Sequence, residues 1–254
     1  MNVPEVLAVI FLGLVFGSFS TALVYRVPRK QNWVAKRSAC TSCKTKLSFP
    51  DLIPVFSWVF SGGRCRHCGQ PVSWLYPAIE ILVLVLCLVV YRFFGVTGEG
   101  LFLMALTPLL SALTVIDFQR MILPDQLLFS CFILGIARLG YFTFTGQFHT
   151  FSDLFMPYLL AAVFYLILSL ALRYIVSTAL GKEALGMGDV KFFFITGFWL
   201  GVQWMPIFFI IAGISGVCMR IFWRIFVKTP EFPFGPALIL ALFSLLLLQG
   251  PILK

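Results

Sequence analysis

Long apolar runs separated by short polar breaks account for most of the chain. Five are unbroken enough to stand alone: VPEVLAVIFLGLVFGSFSTALVY, LYPAIEILVLVLCLVVYRFF, LLFSCFILGIARLGYFTF, PYLLAAVFYLILSLALRYIV and PALILALFSLLLLQGPIL. Three weaker runs lie between them: LFLMALTPLLSALTVI, FFFITGFWLGV and MPIFFIIAGISGVCMRIFW. Crossing a bilayer as a helix takes about 20 apolar residues, so these runs predict about eight spans. The one stretch without such a run is 26–74. The expectation is an all-α polytopic membrane protein: a first transmembrane helix over 1–25, a polar insert over 26–74 and a helical membrane domain over 75–254.

Composition strengthens this reading. The 254 residues are 60% hydrophobic and only 11% charged, against about a quarter charged in soluble domains. The first run has no basic region ahead of it and is followed by Arg26, Arg29 and Lys30, so it reads as a retained helix rather than a removable signal.

Charge then predicts orientation. Nine of the 19 Lys and Arg fall between Arg26 and Trp74, where Asp51 is the only acid. The positive-inside rule places that insert in the cytoplasm and the N-terminus outside. Alternating onward, Arg120, Arg173, Lys182, Arg220, Arg224 and Lys228 fall inside, while Glu99, His149 and Asp153 fall outside. Arg92, Arg138 and Lys254 break the pattern, and snorkelling or a pore-facing position would accommodate them. The net charge of +9 is thus mainly topological. A nucleic-acid partner is not expected, because the basic insert carries no recognisable reader module.

The insert holds CTSC (Cys40, Cys43) and CRHC (Cys65, Cys68), with 21 residues between the pairs. Two Cys-x-x-Cys knuckles at such a separation suit tetrahedral zinc. Two disulfides are the competing reading, and a reducing cytoplasm disfavours them. A segment this small gains folding energy from a metal, and four thiolates make a closed structural site. His67 could replace a ligand but reads better as solvated or lying behind one. Cys87, Cys131 and Cys218 lie within apolar spans and read as ordinary small core residues.

Ten acids are present in all, and most sit in loops or at span ends. Glu5, Glu99, Asp153, Glu183 and Glu231 need no special account, and Asp51 reads as a turn residue. Glu80, Asp117, Asp125 and Asp189 remain. A carboxylate at the centre of a spanning helix costs about 2.5 to 3.5 kcal/mol on insertion scales and marks a functional interior by default. Asp117 and Asp189 both fall at helix ends on the side assigned to the cytoplasm. Two carboxylates brought together can share one proton, one acting as general base on water while the other polarises a peptide carbonyl. Gly186 and Gly188, flanking Met187, would permit unusual backbone angles and close approach of an extended substrate to Asp189. Taken alone, Asp189 reads equally well as the N-cap of the next helix; Asp117 on the same face favours the catalytic reading. Asp125, after the helix-breaking Pro124, reads as a helix N-cap.

With those residues in view, the chain resembles the type IV prepilin peptidases, bifunctional leader peptidases and N-methyltransferases of pilus and type II secretion systems. The resemblance rests on GSFSTALVYRVPR, the two cysteine pairs, YPAIE, VIDFQRMILPD, GMGD and FPFGPAL, in that order over nearly the whole length. It implies Asp117 and Asp189 as the catalytic pair, with Gly186, Gly188, Asp125 and Lys191 in supporting places. In that family the LPD position also accepts asparagine, which favours Asp117 over Asp125. The implied substrates are prepilins or pseudopilins in the bacterial inner membrane, cut after a glycine at the cytoplasmic face, with pilus or secretion assembly proteins as possible further partners. The implied second step is methylation of the new N-terminus from S-adenosylmethionine, with Glu80 of YPAIE as a candidate cofactor- or substrate-binding group. The bland reading of Glu80 is a cap or a charge on a helix dipole. Where related chains carry GSFLNV this one has GSFSTA, placing Ser20 and Thr21 in the positions of leucine and asparagine.

Two other classes are weighed against this. A transporter would want acids near the bilayer midplane and an internal repeat, and neither is visible. A zinc-knuckle scaffold for a secretion partner would tolerate loss of Asp117 and Asp189.

Overall fold

A computed structural model of the chain describes residues 2–33, 37–146, 150–181, 185–229 and 231–250. His149, Lys182, Glu183 and Lys254, used above in weighing loop charge, lie outside the described residues. Among the described residues the structure is helical with no strand, only two isolated bridges in the insert. The helices are α1 (Val3–Arg26), α2 (Phe56–Phe60), α3 (Leu75–Phe94), α4 (Gly98–Arg120), α5 (Asp125–Phe144), α6 (Phe151–Leu180), α7 (Met187–Leu200), α8 (Met205–Phe226) and α9 (Gly235–Gln249).

Every apolar run of the sequence becomes a helix, and six of them are long and apolar enough to span a membrane. The expected count of about eight full-length spans is not reached. α7 and α9 have 14 and 15 residues, which at 1.5 Å per residue is about 21 to 23 Å against a hydrocarbon thickness of about 30 Å. The protein is an all-α polytopic membrane protein with two helices shorter than the bilayer core.

The chain divides into two compact units, Met1–Ala112 and Leu113–Lys254, and the boundary falls inside α4. In the first unit α1 packs along α3 through two glycines one turn apart. A Cβ on Gly17 would lie 2.7 Å from Glu80 Cα, and one on Gly13 would lie 3.0 Å from Leu84 Cα. This small-xxx-small spacing lets helix backbones touch where apolar surface alone gives no drive to associate. On α4, Pro108 cannot supply the N–H that the Met104 carbonyl would normally accept. The Thr107 hydroxyl donates to that carbonyl instead, at 2.8 Å, a repair that membrane helices require.

In the second unit α7 is the buried element. Val190, Phe192, Phe193 and the whole stretch Ile195–Leu200 are buried, as expected of a helix apolar on all sides. A Cβ on Gly197 would lie 2.8 Å from Ala161 O, and one on Gly135 would lie 2.9 Å from the Phe198 ring, so α6 and α5 both approach α7 at glycines. The C-terminus of α7 is satisfied by side chains: Arg138 donates to Trp199 O at 3.3 Å, and the Tyr165 hydroxyl donates to Gly201 O at 3.3 Å. Arg138 also stands 5.1 Å over the Trp199 ring. It is therefore neither snorkelling nor pore-facing but fully buried, a cation at the negative end of a short helix. Cys87 and Cys131 are buried as expected, whereas Cys218 is exposed on α8, beside other exposed apolar residues such as Ile214 and Val217.

The glycine contacts predict opposite outcomes for two alanine substitutions. Gly17→Ala should destabilise the protein by about 1 to 3 kcal/mol through helix overpacking. Gly140→Ala on α5, where an added Cβ meets nothing within 4 Å, should be neutral or stabilising by up to about 1 kcal/mol. Thermal melts of the two variants in detergent check the pair.

Candidate functional site

Asp117 lies three residues before the end of α4 and is 4% exposed. Its Oδ2 accepts the backbone N–H of Gly235 at 2.9 Å. Gly235 is the first residue of α9, so the carboxylate occupies a helix N-terminus, where backbone donors are otherwise unpartnered and the dipole favours negative charge. Only glycine fits there, since a Cβ on Gly235 would lie 2.7 Å from Asp117 Oδ2.

Asp189 is the third residue of α7, and its carboxylate reaches back to the backbone N–H of Gly186. The N-cap position belongs to Gly186, not to Asp189. The aspartate instead makes the reaching-back half of a capping box. Asp117 stands within electrostatic range of Asp189, so the two carboxylates expected to act together are brought together within the second unit.

Leu123 marks the ground between them. It follows the left-handed Met121 (φ 54°) that ends α4. A Cβ on Gly188 would lie 3.1 Å from Leu123 Cβ, and one on Gly235 would lie 3.0 Å from Leu123 Cδ2.

Gly186 and Gly188 do not adopt the unusual backbone angles expected of them. Gly186 has φ −66° and ψ 147°, and neither glycine has positive φ, so no unusual backbone angle is needed. Their value is close approach: Gly188 admits Leu123, and Gly186 leaves room for its own Asp189 carboxylate. Just upstream, Leu185 is tied to α6 by a hydrogen bond from Arg173.

Asp125 is not an N-cap. It is the first residue of α5, after Pro124, and makes no capping hydrogen bond. Its carboxylate pairs with Lys191 Nζ at 2.7 Å, with the Asp125 side chain 73% exposed. An exposed pair of this kind contributes about 0 to 1 kcal/mol. Lys191 therefore faces Asp125.

In the first unit the four knuckle cysteines converge. Their Sγ atoms all lie within 4.8 Å of one another, and Cys40 and Cys68 are 3.9 Å apart. A tetrahedron of Zn–S bonds of about 2.3 Å has S···S edges of about 3.8 Å, so the donor set fits a metal. The cysteines are free thiols, at separations too long for disulfides. His67 is not in the cluster. The knuckles repeat one hydrogen-bonding scheme: Cys40 N donates to Thr45 O and Cys65 N to Gln70 O, both at 2.9 Å. The left-handed residues Lys44 and Gly69 follow each pair. Thr45, chiefly through its side chain, pulls the Cys43 thiol down to about 6, and the backbone N–H of His67 lowers Cys65, both changes favouring the thiolates that bind metal. Asp51, expected as a turn residue, closes a capping box with Ser48 and pairs with Arg66 at 3.5 Å.

Glu80 is five residues into α3, 8% exposed, and its Oε2 accepts the backbone N–H of Val55 at 2.6 Å. One of its two carboxylate oxygens is thus engaged by the insert. Ser20, in the position where related chains have leucine, is buried with its hydroxyl unpartnered, and the Thr21 hydroxyl donates to Ser18 O at 2.7 Å. Glu99, expected to need no account, is also buried, in the first turn of α4.

Gly13 with Gly17, Arg138 and Gly235 were not singled out by sequence reasoning as site or packing residues. For the first pair the signal was there, as glycines spaced by four within an apolar run. The roles of Arg138 and Gly235 depend on partners 61 and 118 residues away, which no local pattern announces.

Comparison with known proteins agrees with this geometry. Residues 11–94 match the bacterial peptidase A24 N-terminal domain, and residues 104–221 match the type IV leader peptidase family. The first match contains the cysteines and Glu80; the second contains Asp117 and Asp189. The prepilin leader peptidase/N-methyltransferase of Pectobacterium carotovorum subsp. carotovorum is 31% identical over 84% of this chain and 81% of its own length. That of Aeromonas hydrophila is 30% identical over 92% and 87%. The type 4 prepilin-like proteins leader peptide-processing enzyme of Escherichia coli O78:H11 is 31% identical over 94% and 92%. No solved structure matches the chain significantly. With relatives of this identity over most of its length, and with its acids and cysteines inside the matched segments, the chain belongs to the type IV leader peptidase family.

Proposed function

We propose that this protein removes the basic leader from prepilins or pseudopilins at the cytoplasmic face of the bacterial inner membrane and methylates the exposed N-terminus. The observation that carries the peptidase reading is that Asp117 and Asp189, from α4 and α7, stand within electrostatic range of each other, with the Asp117 carboxylate held by the Gly235 N–H. The names of the relatives supply the substrate class and the second activity. The excess of Lys and Arg over 26–74 supports a cytoplasmic insert and an external N-terminus.

In this mechanism the dyad holds one proton between two carboxylates. The ionised aspartate takes a proton from water as the oxygen attacks the scissile carbonyl carbon. The protonated aspartate hydrogen-bonds the carbonyl oxygen and stabilises its developing charge. Collapse of the tetrahedral adduct breaks the C–N bond, and the departing amine leaves with a proton from the dyad. Gly186 and Gly235 hold the carboxylates in place. Asp125 and Lys191 act as supporting residues at the surface between α5 and α7.

The metal of the four-cysteine cluster is assigned as structural zinc, held by Cys40, Cys43, Cys65 and Cys68, which leaves no open coordination position for chemistry. The methyl donor is assigned as S-adenosylmethionine, and a role for Glu80 toward it rests on the resemblance. The working division is then a first helix over 1–25, a zinc-stapled insert over 26–74 associated with methyl transfer, and a membrane domain over 75–254 carrying the peptidase site.

Asp117→Asn and Asp189→Asn should each lower leader cleavage by about 10²- to 10⁴-fold with unchanged thermal melts. Asp125→Asn should remain within a few-fold of the parent, because its side chain is exposed and pairs only weakly. Full activity in either of the first two variants, measured on a purified prepilin, would send the assignment elsewhere.

Elemental analysis of the purified protein should find zinc in equal number to the chain, and Cys40→Ser should lower it. Stripping the metal with a chelator should accelerate proteolysis within 37–74 while leaving the membrane helices resistant.

A further inference from the structure

The insert between α1 and α3 reads in sequence as a soluble, basic segment, yet it carries an apolar face with no partner among the described residues. Phe49, Leu52, Ile53, Phe56, Val59 and Phe60 are all exposed, Phe49 and Phe60 by 82% and 78%. The rings of Phe56 and Phe60, one helical turn apart on α2, lie with centroids 6.4 Å apart, and Val59 falls on the same face by spacing. The opposite face is committed to the insert itself. Trp58 donates its ring N–H to Val72 O at 3.0 Å and lies against Gly63.

The depth of this face is set by one bond. The Glu80 carboxylate accepts the N–H of Val55, the residue that opens α2. Val55 has φ 62° and ψ −55°, and Phe56 N donates to Pro54 O at 2.6 Å. This is a tight γ-turn in a left-handed conformation that β-branched residues rarely adopt, held by its buried partner. α3 has 20 residues, about 30 Å of helix and the full thickness of a bilayer core. Glu80 stands five residues past its start, with its Cα about 7 to 8 Å along the helix axis, and its side chain leans back toward that start, so the beginning of α2 lies level with the outer part of the span. That is the depth, about 5 to 10 Å into the headgroup and acyl boundary, at which interfacial helices bury their apolar faces.

The surroundings fit an interface. Trp74, the residue before α3, is 70% exposed, where aromatic residues favour the membrane boundary. The insert's nine basic residues against one acid complement an anionic leaflet.

The geometry points to the inner leaflet as the occupant of this face: the insert is a membrane-surface module whose Phe49–Phe60 segment is embedded among lipid headgroups and upper acyl chains, with the knuckles riding on it. This inference uses the membrane-spanning fold and not the peptidase chemistry, so the two stand or fall separately.

The test reads lipid contact directly. Phe60 is replaced by the photo-crosslinking residue p-benzoyl-L-phenylalanine in the full chain, reconstituted in nanodiscs of phosphatidylethanolamine and phosphatidylglycerol. The same replacement at Ile214, exposed on the span α8, is the lipid-facing reference. Retained zinc and an unchanged melt establish that both variants are folded. The expected result is a phospholipid adduct at Phe60 in at least about one third of the yield at Ile214, as an embedded side chain requires. A smaller yield, or adducts to a second copy of the chain, overturns the proposal, as does a Phe60 adduct that shifts from lipid to prepilin when prepilin is added.

Discussion

Two of the buried carboxylates in this fold, Asp117 and Glu80, each accept a hydrogen bond from a backbone N–H contributed by a distant segment. Asp117 sits near the C-terminus of α4, the negative end of its own helix dipole, which is the worst place on that helix for an anion. What offsets this is the start of another helix, since Gly235 N–H at 2.9 Å brings the positive end of α9 to the same oxygen. Asp189 solves the problem on its own helix, in the first turn of α7 with Gly186 N–H as donor. Each acid is thus paired with a helix N-terminus that begins at or beside a glycine: a Cβ on Gly235 would lie 2.7 Å from the Asp117 carboxylate, and one on Gly186 would crowd that of Asp189 at 3.1 Å. The sequences GMGD and FPFGP are the same physical device used twice.

The shortness of α7 and α9 follows from that device. A helix that starts at a carboxylate and must remain buried cannot also run the full thickness of a bilayer. α7 ends after 14 residues, inside the protein, where water cannot satisfy its last carbonyls. Arg138 and Tyr165 meet that need from α5 and α6. The buried arginine, which looks anomalous when loops are counted for charge, is part of the cost of a short buried helix with a carboxylate in its first turn. Its partner is the α7 end remote from Asp189, so the helix is held at both ends by charge and along its sides by glycine contacts with α5 and α6.

How much of this was readable from the chain alone divides by range. The helices follow from local hydropathy, and all eight apolar runs found their places because a long apolar segment has few alternatives in a membrane. The cysteine cluster follows from spacing. The approach of Asp117 to Asp189 was inferred from parity of spans, a long-range argument available to a membrane chain because crossing a bilayer restricts each helix end to one of two sides. What was misjudged concerns local geometry with distant causes. Gly186 and Gly188 were assigned special backbone angles when they supply space, because the atoms that need the space belong to Leu123 and Asp189. Asp125 looked like a cap because Pro124 precedes it, but its hydrogen-bonding capacity goes to Lys191, 66 residues away. Cys218 looked buried because its helix is apolar; on a lipid-facing helix, apolar and buried are different properties.

Glu80 brings the first unit under the same rule as the second. Its backbone is pressed against Gly17 of α1, and its side chain is buried, so its carboxylate gains from a donor within the protein. The donor is Val55 N–H, from a five-residue helix that a strained turn has to present. The strained turn costs about 1 to 3 kcal/mol, and what offsets it is the donor it presents to a buried carboxylate that would otherwise be desolvated without compensation. The insert therefore completes the electrostatics of the helix pair it interrupts, so whatever orders the insert, the four-cysteine cluster included, has a structural consequence at the start of α3.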